Sequence, residues 1–434
     1  MSMRISSSLL SQIGLNTMLA QQKKLSDTQI QIATGRRILA PSDDPYGSAR
    51  TLDLKESISM NEQYLYNSAQ IQNRLGLEEG TVDGIENALQ RVRELTINAN
   101  NGSQTVETRR IIRSEIEQLL KQVVALSNTA DANGEFLFSG YQGYTQPFES
   151  DGLGGFNYYG DDGQRFLKVG TSTTVAMSDS GTATFLEIKN GNGKFQTKDN
   201  PDNQGGGIID PGTVSGVYVA DNYRISFLPP NSNRLNEPVE YYVLDGSNNI
   251  IEPSAQAGTS EADFIAGGFA AIQYEDGAVI QGLDKLGVKL NIKGTPTAEA
   301  GPPLRQDSFT ISPSNNQSMF STIQNLINTL GMQQQGTADL SEFHNAMNRN
   351  IVDLDQSLGN LLDIRASIGA RLNTLDKQVE INETFSLQLN TTLSEIQDLD
   401  YSEAVTRLNL QLVGLQAAQN AYTKVQGLSL FNFL

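Results

Sequence analysis

The sequence predicts an α+β fold: an elongated, coiled-coil-like bundle of long helices formed by both chain ends, with a central β-rich insert. Three observations predict it. Apolar residues recur at alternating steps of three and four along 340–396, at Met347, Ile351, Leu354, Leu358, Leu361, Ile368, Leu372, Leu375, Val379, Leu389, Leu393 and Ile396. That 3.5-residue period is the seam of a helix packed along other long helices. Prolines are the second sign. After Pro41 and Pro45 the next is Pro147 and the last is Pro313, so 46–146 and 314–434 are free of helix breakers. Third, 147–313 is rich in Pro, Gly, Asn and aromatic residues, as short strands and turns require.

The predicted division follows. Residues 1–40 and 397–434 form a terminal helical pair, 41–146 and 314–396 a helical rod, and 147–313 an outer β-rich insert. A helix over 340–396 would run roughly 85 Å at about 1.5 Å per residue. Its seam is broken only by Arg365, Asn382 and Ser386. Polar residues at such positions cost stability and fix register.

Composition narrows the function. The 434 residues carry a formal net charge of -18, with no Cys, no Trp and one His. Without Cys there are no disulfides, thiolate zinc sites or cysteine nucleophile. The acidic balance argues against nucleic acid, whose phosphates need clustered Lys and Arg. No apolar run reaches the roughly 20 residues of a membrane span, and the N-terminus lacks the pattern of a cleavable signal peptide.

In chain order, 5–34 reads as a helix. Leu9 and Ile13 are four apart, and Met18, Leu25 and Ile32 seven apart; Arg4 is the only charged residue before Lys23. Such a helix is either a core helix or one that folds on assembly. Gly35 ends it as a C-cap. In TGRRILAPSDDP, Pro41 and Pro45 break the chain, and Ser42, Asp43 and Asp44 supply caps for the next helix rather than metal or acid–base chemistry. Residues 46–100 form that helix, with an interruption near Gly76–Gly84 left open, and its stripe is Val82, Ile85, Leu89, Val92, Thr96 and Ala99. A third helix carries Ile112, Ile116, Leu119, Val123, Leu126 and Ala130. These two stripes are the expected partners of the 340–396 seam.

Asn133-Gly134 marks the exit into β structure. Phe136, Phe138, Tyr141, Tyr144 and Phe148 read as core at a domain junction, ahead of an aromatic binding surface. Strands are expected at Tyr223–Phe227, at Val239–Leu244 before the Asp245-Gly246 turn, and at Val288–Ile292. A short helix is expected over 261–272. The DNPDNQGGG stretch at 199–207 is a solvated loop, because Pro201 occupies a position that a calcium loop needs for a ligand. The lone His344 reads as a solvated helix residue. No HExxH, GxSxG, P-loop or dinucleotide fingerprint is present, so no catalytic, metal or cofactor-binding residue is assigned.

The C-terminus mirrors the N-terminus. Val405, Leu408, Leu412, Leu415, Tyr422 and Val425 hold the 3.5 period, and only Glu403, Arg407 and Lys424 are charged after Tyr401. The two charge-poor ends are expected to pair with each other and with neighbouring subunits. Leu9, Ile13, Met18, Leu25, Leu408, Leu412, Leu415, Tyr422, Val425 and Phe431 are the predicted interface residues.

These motifs resemble those of the flagellin superfamily. MRIS at 3–6, TGRRILAPSDDP at 34–45, NGEFLFSG at 133–140 with PF at 147–148, and SLFNFL at 429–434 carry the resemblance. They look more like its hook–filament junction branch than a filament flagellin. The motif residues carried over are Gly35, Arg36, Pro41, Ser42, Asp43, Asp44, Pro45, Phe136, Phe138 and Gly140. The middle departs from the family, with RQDSFTISP in place of a Gly-Asp before the strand. The resemblance implies a secreted structural subunit, exported through the flagellar type III apparatus, and no enzyme. It implies an adaptor ring between the hook-associated junction and the filament. The implied partners are copies of itself, a hook-side junction protein, flagellin and an export chaperone near the C-terminus. A filament subunit is the alternative, and an enzyme or adhesin working through the insert is a reading from outside this class.

Overall fold

The computed structural model describes residues 7–152, 154–228, 239–299, 305–332 and 336–427. The chain divides into two compact units. One comprises Met1–Ala69, Lys168–Thr173 and Asp376–Leu434, the other Gln70–Leu167 and Thr174–Leu375. The fold is α+β, with long helices at both ends of the chain and strands in its middle.

Helix α1, Ser7–Thr34, stops at Gly35, whose φ of 68° places it in the left-handed region that ends helices. Helix α2, Pro45–Ala99, is unbroken over 55 residues. The interruption considered near Gly76–Gly84 does not occur. Each helical glycine costs about 1 kcal/mol, but Leu75, Val82, Ile85, Leu89 and Val92 are fully buried and hold the helix through that stretch. Helix α3, Val106–Ser127, starts at Thr105, whose side chain accepts the Thr108 N–H. Short helices α4, Glu261–Gly267, and α5, Met319–Leu330, are capped by Ser260 and Ser318. Helices α6, Thr337–Gln397, and α7, Tyr401–Gly427, complete the chain.

In the Gln70–Leu375 unit the predicted seam is fully buried at every seventh residue, while its alternate positions Ile351, Leu358 and Leu372 are half-buried. Met347, Leu354, Leu361, Ile368 and Leu375 of α6 are fully buried, as is the whole α2 stripe from Val82 to Ala99. Arg365, a seam break in the sequence, ion-pairs with Glu86 at 2.5 Å and Asp83 at 3.1 Å on α2. The α3 stripe is turned from its predicted position. Leu120 and Ser127 are buried, whereas Leu119, Leu126 and Ala130 are half-buried. The reason is a further neighbour, since α5 packs on α3 and draws its buried face round. His344 is not solvated. It is half-buried, with Nδ1 2.7 Å from Asn100 Oδ1, and burial and nearby Arg109 lower its pKa.

The main sheet is antiparallel. Its strands run 250–252, 240–244, 223–228, 308–313 and 195–199 from edge to edge, with 272–273 also on 240–244. Strand 308–313 lies next to the 195–199 edge, inserted between two strands that precede it in sequence. Tyr223, Ile225 and Phe227 join Phe195, Phe309 and Ile311 in one core. Tyr242 and Leu244 face the other way onto Ile250 and Phe264 of α4.

Three local expectations change here. The helix at 261–272 ends at Gly267, and 272–273 is strand. Residues 288–292 form two short strands with different partners, 288–289 and 292–293. The 199–207 stretch is not simply solvated. Gly205, Gly206 and Gly207 are buried, and the buried Asp307 carboxylate accepts the Gln204, Gly205 and Thr297 amides at 2.7–3.0 Å. Its first residue, Asp199, is buried and ion-pairs with Arg349.

Candidate assembly interface

Helices α1 and α7 pack against each other within one unit. They run antiparallel, for Gly14 lies beside Tyr422, Gln21 beside Gly414 and Gly35 beside Tyr401. A Cβ on Gly14 would lie 3.0 Å from the Tyr422 ring, so glycine lets the helices approach there.

This pair buries little. Leu25 and Thr28 of α1 and Ala404 of α7 are buried, while Met18, Leu408, Leu415 and Tyr422 are half-buried. Leu9, Ile13 and Leu412 remain 51%, 55% and 44% exposed. Of the other predicted interface residues, the Val425 side chain and all of Phe431 lie outside the described residues, as do MRIS and SLFNFL. The structure adds Leu15, Leu19, Ile30, Leu410 and Val413, all exposed. They sit off the 3.5-residue stripe, and the signal that could have found them was the shortage of charge on every face. Exposed apolar surface at this density makes the pair the candidate interface.

The TGRRILAPSDDP motif is a junction of helix ends. Gly35 O accepts the Leu399 N–H at 3.0 Å, and Arg37 N–H donates to Gln397 O at 2.8 Å. Arg36 bridges Asp398 through its backbone. The Arg37 guanidinium donates to Ile396 O from Nη2 at 2.8 Å and Nε at 3.2 Å, and pairs with Asp44 at 3.3 Å. It therefore caps α6, whose last carbonyls have no helical partner. Asp44 Oδ1 accepts the Gly47 N–H at 2.8 Å and caps α2 at Pro45. That hydrogen bond and Arg37 hold the Asp44 carboxyl below its usual range. Asp43 instead closes the turn before Pro45, accepting the Leu39 and Ala40 amides. Pro41 and Ser42 lie in that turn. Arg37, absent from the predicted set, carries the side-chain contacts; nothing in its spacing set it apart from Arg36.

Between the helices of this unit, the seam break Asn382 has a partner. Its Nδ2 donates to Val169 O at 2.9 Å, and its own carbonyl accepts Asn61 Nδ2 at 2.7 Å. Both asparagines are buried, and Val169 is fully so. Asn67 Nδ2 holds Lys168 O at 2.7 Å. A loop of six residues, Lys168–Thr173, is thus moored on α2 and α6 by amide side chains.

In the other unit, FLFSG folds around Arg74 of α2. Arg74 donates to Phe136 O at 3.0 Å and Asp131 at 2.9 Å. Phe138 and Phe148 are fully buried against Phe185, and Phe136 is half-buried. Tyr141 and Tyr144 are exposed, so the aromatic run is part core and part surface. At Gly140, φ 67°, a Cβ would meet the Asp161 carbonyl oxygen at 2.3 Å, which explains the glycine. Among the described residues no group of three or more His, Asp or Glu is placed to hold a metal ion. No helix among them is long and apolar enough to cross a membrane.

Two family models match the ends. The bacterial flagellin N-terminal helical region matches 5–143 and the C-terminal helical region 351–434, more than half of the chain together. Flagellar hook-associated protein 3 of Escherichia coli (strain K12) is 22% identical over 429 residues, 99% of each chain. The crystal structure of flagellar hook associated protein-3 from Legionella pneumophila is 31% identical with a TM-score of 0.70, covering 79% of this chain and 98% of that one. Phase 1 flagellin of Salmonella naestved is 33% identical over 127 residues, 29% of this chain but 25% of the flagellin. With its helical ends in the flagellin pattern, and with junction-type relatives matching 99% and 79% of its length, the chain belongs to the flagellin superfamily and, within it, to the hook-associated protein 3 family.

Proposed function

We propose that this chain is a structural adaptor of the bacterial flagellum, forming a ring that joins the hook-associated junction to the flagellin filament. The observation that carries this reading is the α1–α7 pair, apolar on the faces it does not bury. An isolated pair with so thin a buried seam recovers little of the roughly 1–2 kcal/mol that ordering each residue costs. Packing between subunits supplies the rest, so the pair becomes stable as it assembles. Leu9, Ile13, Met18, Leu408, Leu412, Leu415 and Tyr422 are the contacts assigned to that step, and Leu25 holds the pair together inside one chain.

In the organisation proposed, the terminal pair is the part assigned to the ring's subunit contacts, distinct from the helical segments 41–146 and 314–396 and from the β-rich insert. The partners are copies of the chain, a hook-side junction protein, flagellin and an export chaperone at the C-terminal region. The site is the extracellular flagellum, reached through type III export. Its relatives are structural proteins, and the reading assigns no catalysis.

The filament-subunit reading is supported by the flagellin helical regions matched at both ends and by a likeness that spans 25% of one flagellin's length. Deleting the gene separates the two. Hooks without filaments, with flagellin leaking into the medium, is the expected result. Loss of the filament protein itself, with nothing leaking, would make the chain a flagellin, and intact flagella would overturn both readings.

A further inference from the structure

The sequence holds four Asn–Gly pairs: Asn101–Gly102, Asn133–Gly134, Asn190–Gly191 and Asn192–Gly193. At such a pair the backbone nitrogen of glycine can reach the preceding side-chain amide, because no Cβ stands in the way. In a folded chain the reaction requires that this N–H be free of a hydrogen bond.

Three of the four are engaged. The Gly134 N–H donates to Asp131 O at 3.0 Å, and the Gly193 N–H to Asn190 O at 3.2 Å. The Gly191 N–H donates to Asp353 Oδ1 at 2.7 Å. Gly102 differs. Its N–H has no acceptor among the described residues, it is exposed, and nothing lies within 4 Å of a Cβ built on it. Beside it, Asn101 Oδ1 accepts the Ser103 N–H at 3.1 Å. That turn folds the Asn101 amide over the backbone of residue 102 and polarises its carbonyl.

We propose that Asn101 is a self-modification site, deamidating and isomerising in the native protein while the other three pairs stay intact. The Gly102 nitrogen gives its proton to solvent and bonds to Asn101 Cγ. The Cγ–Nδ2 bond breaks and ammonia leaves, taking up a proton, so a five-membered succinimide closes. Water then opens the ring at either carbonyl, leaving an aspartyl or isoaspartyl residue. No electrons are exchanged with an outside reagent.

Either product adds a carboxylate just beyond the C-terminal end of α2, where the helix carbonyls already carry partial negative charge. The isoaspartyl form also lengthens the main chain by one methylene. It disturbs the turn in which Asn101 O accepts the Gln104 N–H at 3.0 Å. Next to it, Asn100 meets His344 at 2.7 Å and Asn348 at 3.2 Å, both on α6. The modification therefore falls where α2 is fastened to α6.

The test incubates the native full-length chain at mildly alkaline pH and follows all four pairs by peptide mass mapping, with isoaspartyl methyltransferase labelling as a second readout. Asn101 is expected to convert first in the native chain, and all four to convert alike in denaturant. Gly102→Ala, at a site with open space and an ordinary φ, is expected to keep the fold and slow Asn101 to the level of the other three. The proposal falls if Asn133, Asn190 or Asn192 keeps pace with Asn101 in the native chain. It falls equally if the denatured chain shows the same preference, or if Gly102→Ala leaves the Asn101 rate unchanged.

Discussion

The Arg37 guanidinium sits on the carbonyl oxygen of Ile396, 2.8 Å from it at Nη2, across 359 residues of sequence. It gives the end of α6 a charged cap and ties it to the turn that starts α2. Arg37→Ala is expected to cost about 1–2 kcal/mol, after discounting for a half-exposed side chain. Hydrogen exchange at Leu399 should speed up in that variant. Arg37→Lys should restore only part of the protection, because an ammonium lacks the two-pronged geometry. Unchanged exchange in Arg37→Ala would remove the clamp from the account.

Asn382→Leu places the apolar residue that the heptad asks for, yet it should destabilise. The buried Val169 carbonyl loses its donor, a penalty of about 1–3 kcal/mol, while the added apolar contact offsets some of it. Exchange at 168–173 should rise more than exchange elsewhere on α6. A more stable variant with an unchanged loop would show that the asparagine is not an anchor.

Glu78 is fully buried, with Oε1 accepting the Asp179 N–H at 3.0 Å and Oε2 without a hydrogen-bond partner among the described residues. Burial and the neighbouring Asp179 push its pKa up to about 8, against the pull of Arg371 and Arg74. A carboxyl whose pKa rises on folding takes up a proton as the chain folds. Its contribution is complete below about 4.5 and is lost as pH rises toward about 8. Glu78→Gln mimics the protonated form. It should flatten that slope and stabilise the protein at pH 9 by about 1–3 kcal/mol. Thermal unfolding across pH 5–9 measures both.

Leu412→Asp alters an exposed position of α7, so the purified chain should keep its helical content and unfolding midpoint. Incorporation into flagella should be abolished, because a carboxylate buried between subunits has no partner. Electron microscopy of complemented cells reads the outcome. Normal filaments would show that Leu412 is not at an interface.

The α2–α6 rod was legible because its evidence repeats. One residue in seven points the same way from Met347 to Leu389, and no single exception shifts the register. Asn382 and Arg365 were visible as exceptions, but their partners were not, since Val169 and Glu86 lie far off in sequence. The 199–207 stretch was misread for the same reason: its amides are claimed by Asp307, roughly a hundred residues on. The α3 stripe shifted because α5, whose packing has no heptad, competes for its face. At the terminal pair, periodicity located the stripe through Leu9 and Leu412. It missed Leu15, Leu19, Leu410 and Val413, because a helix apolar on several faces has no single phase to detect.

The tie between Asn61 and Asn382 spans 321 residues, and this separation governs the order in which the molecule can form. A ribosome completes α1 and α2 long before α6 exists. Closing so wide a loop carries an entropic cost that no local contact offsets in advance. The newly made N-terminal half therefore keeps its apolar seam uncovered until the last quarter of the chain emerges. Folding of the rod is in effect a check that translation has passed α6, since a product truncated before Thr337 has no α6 on which to close.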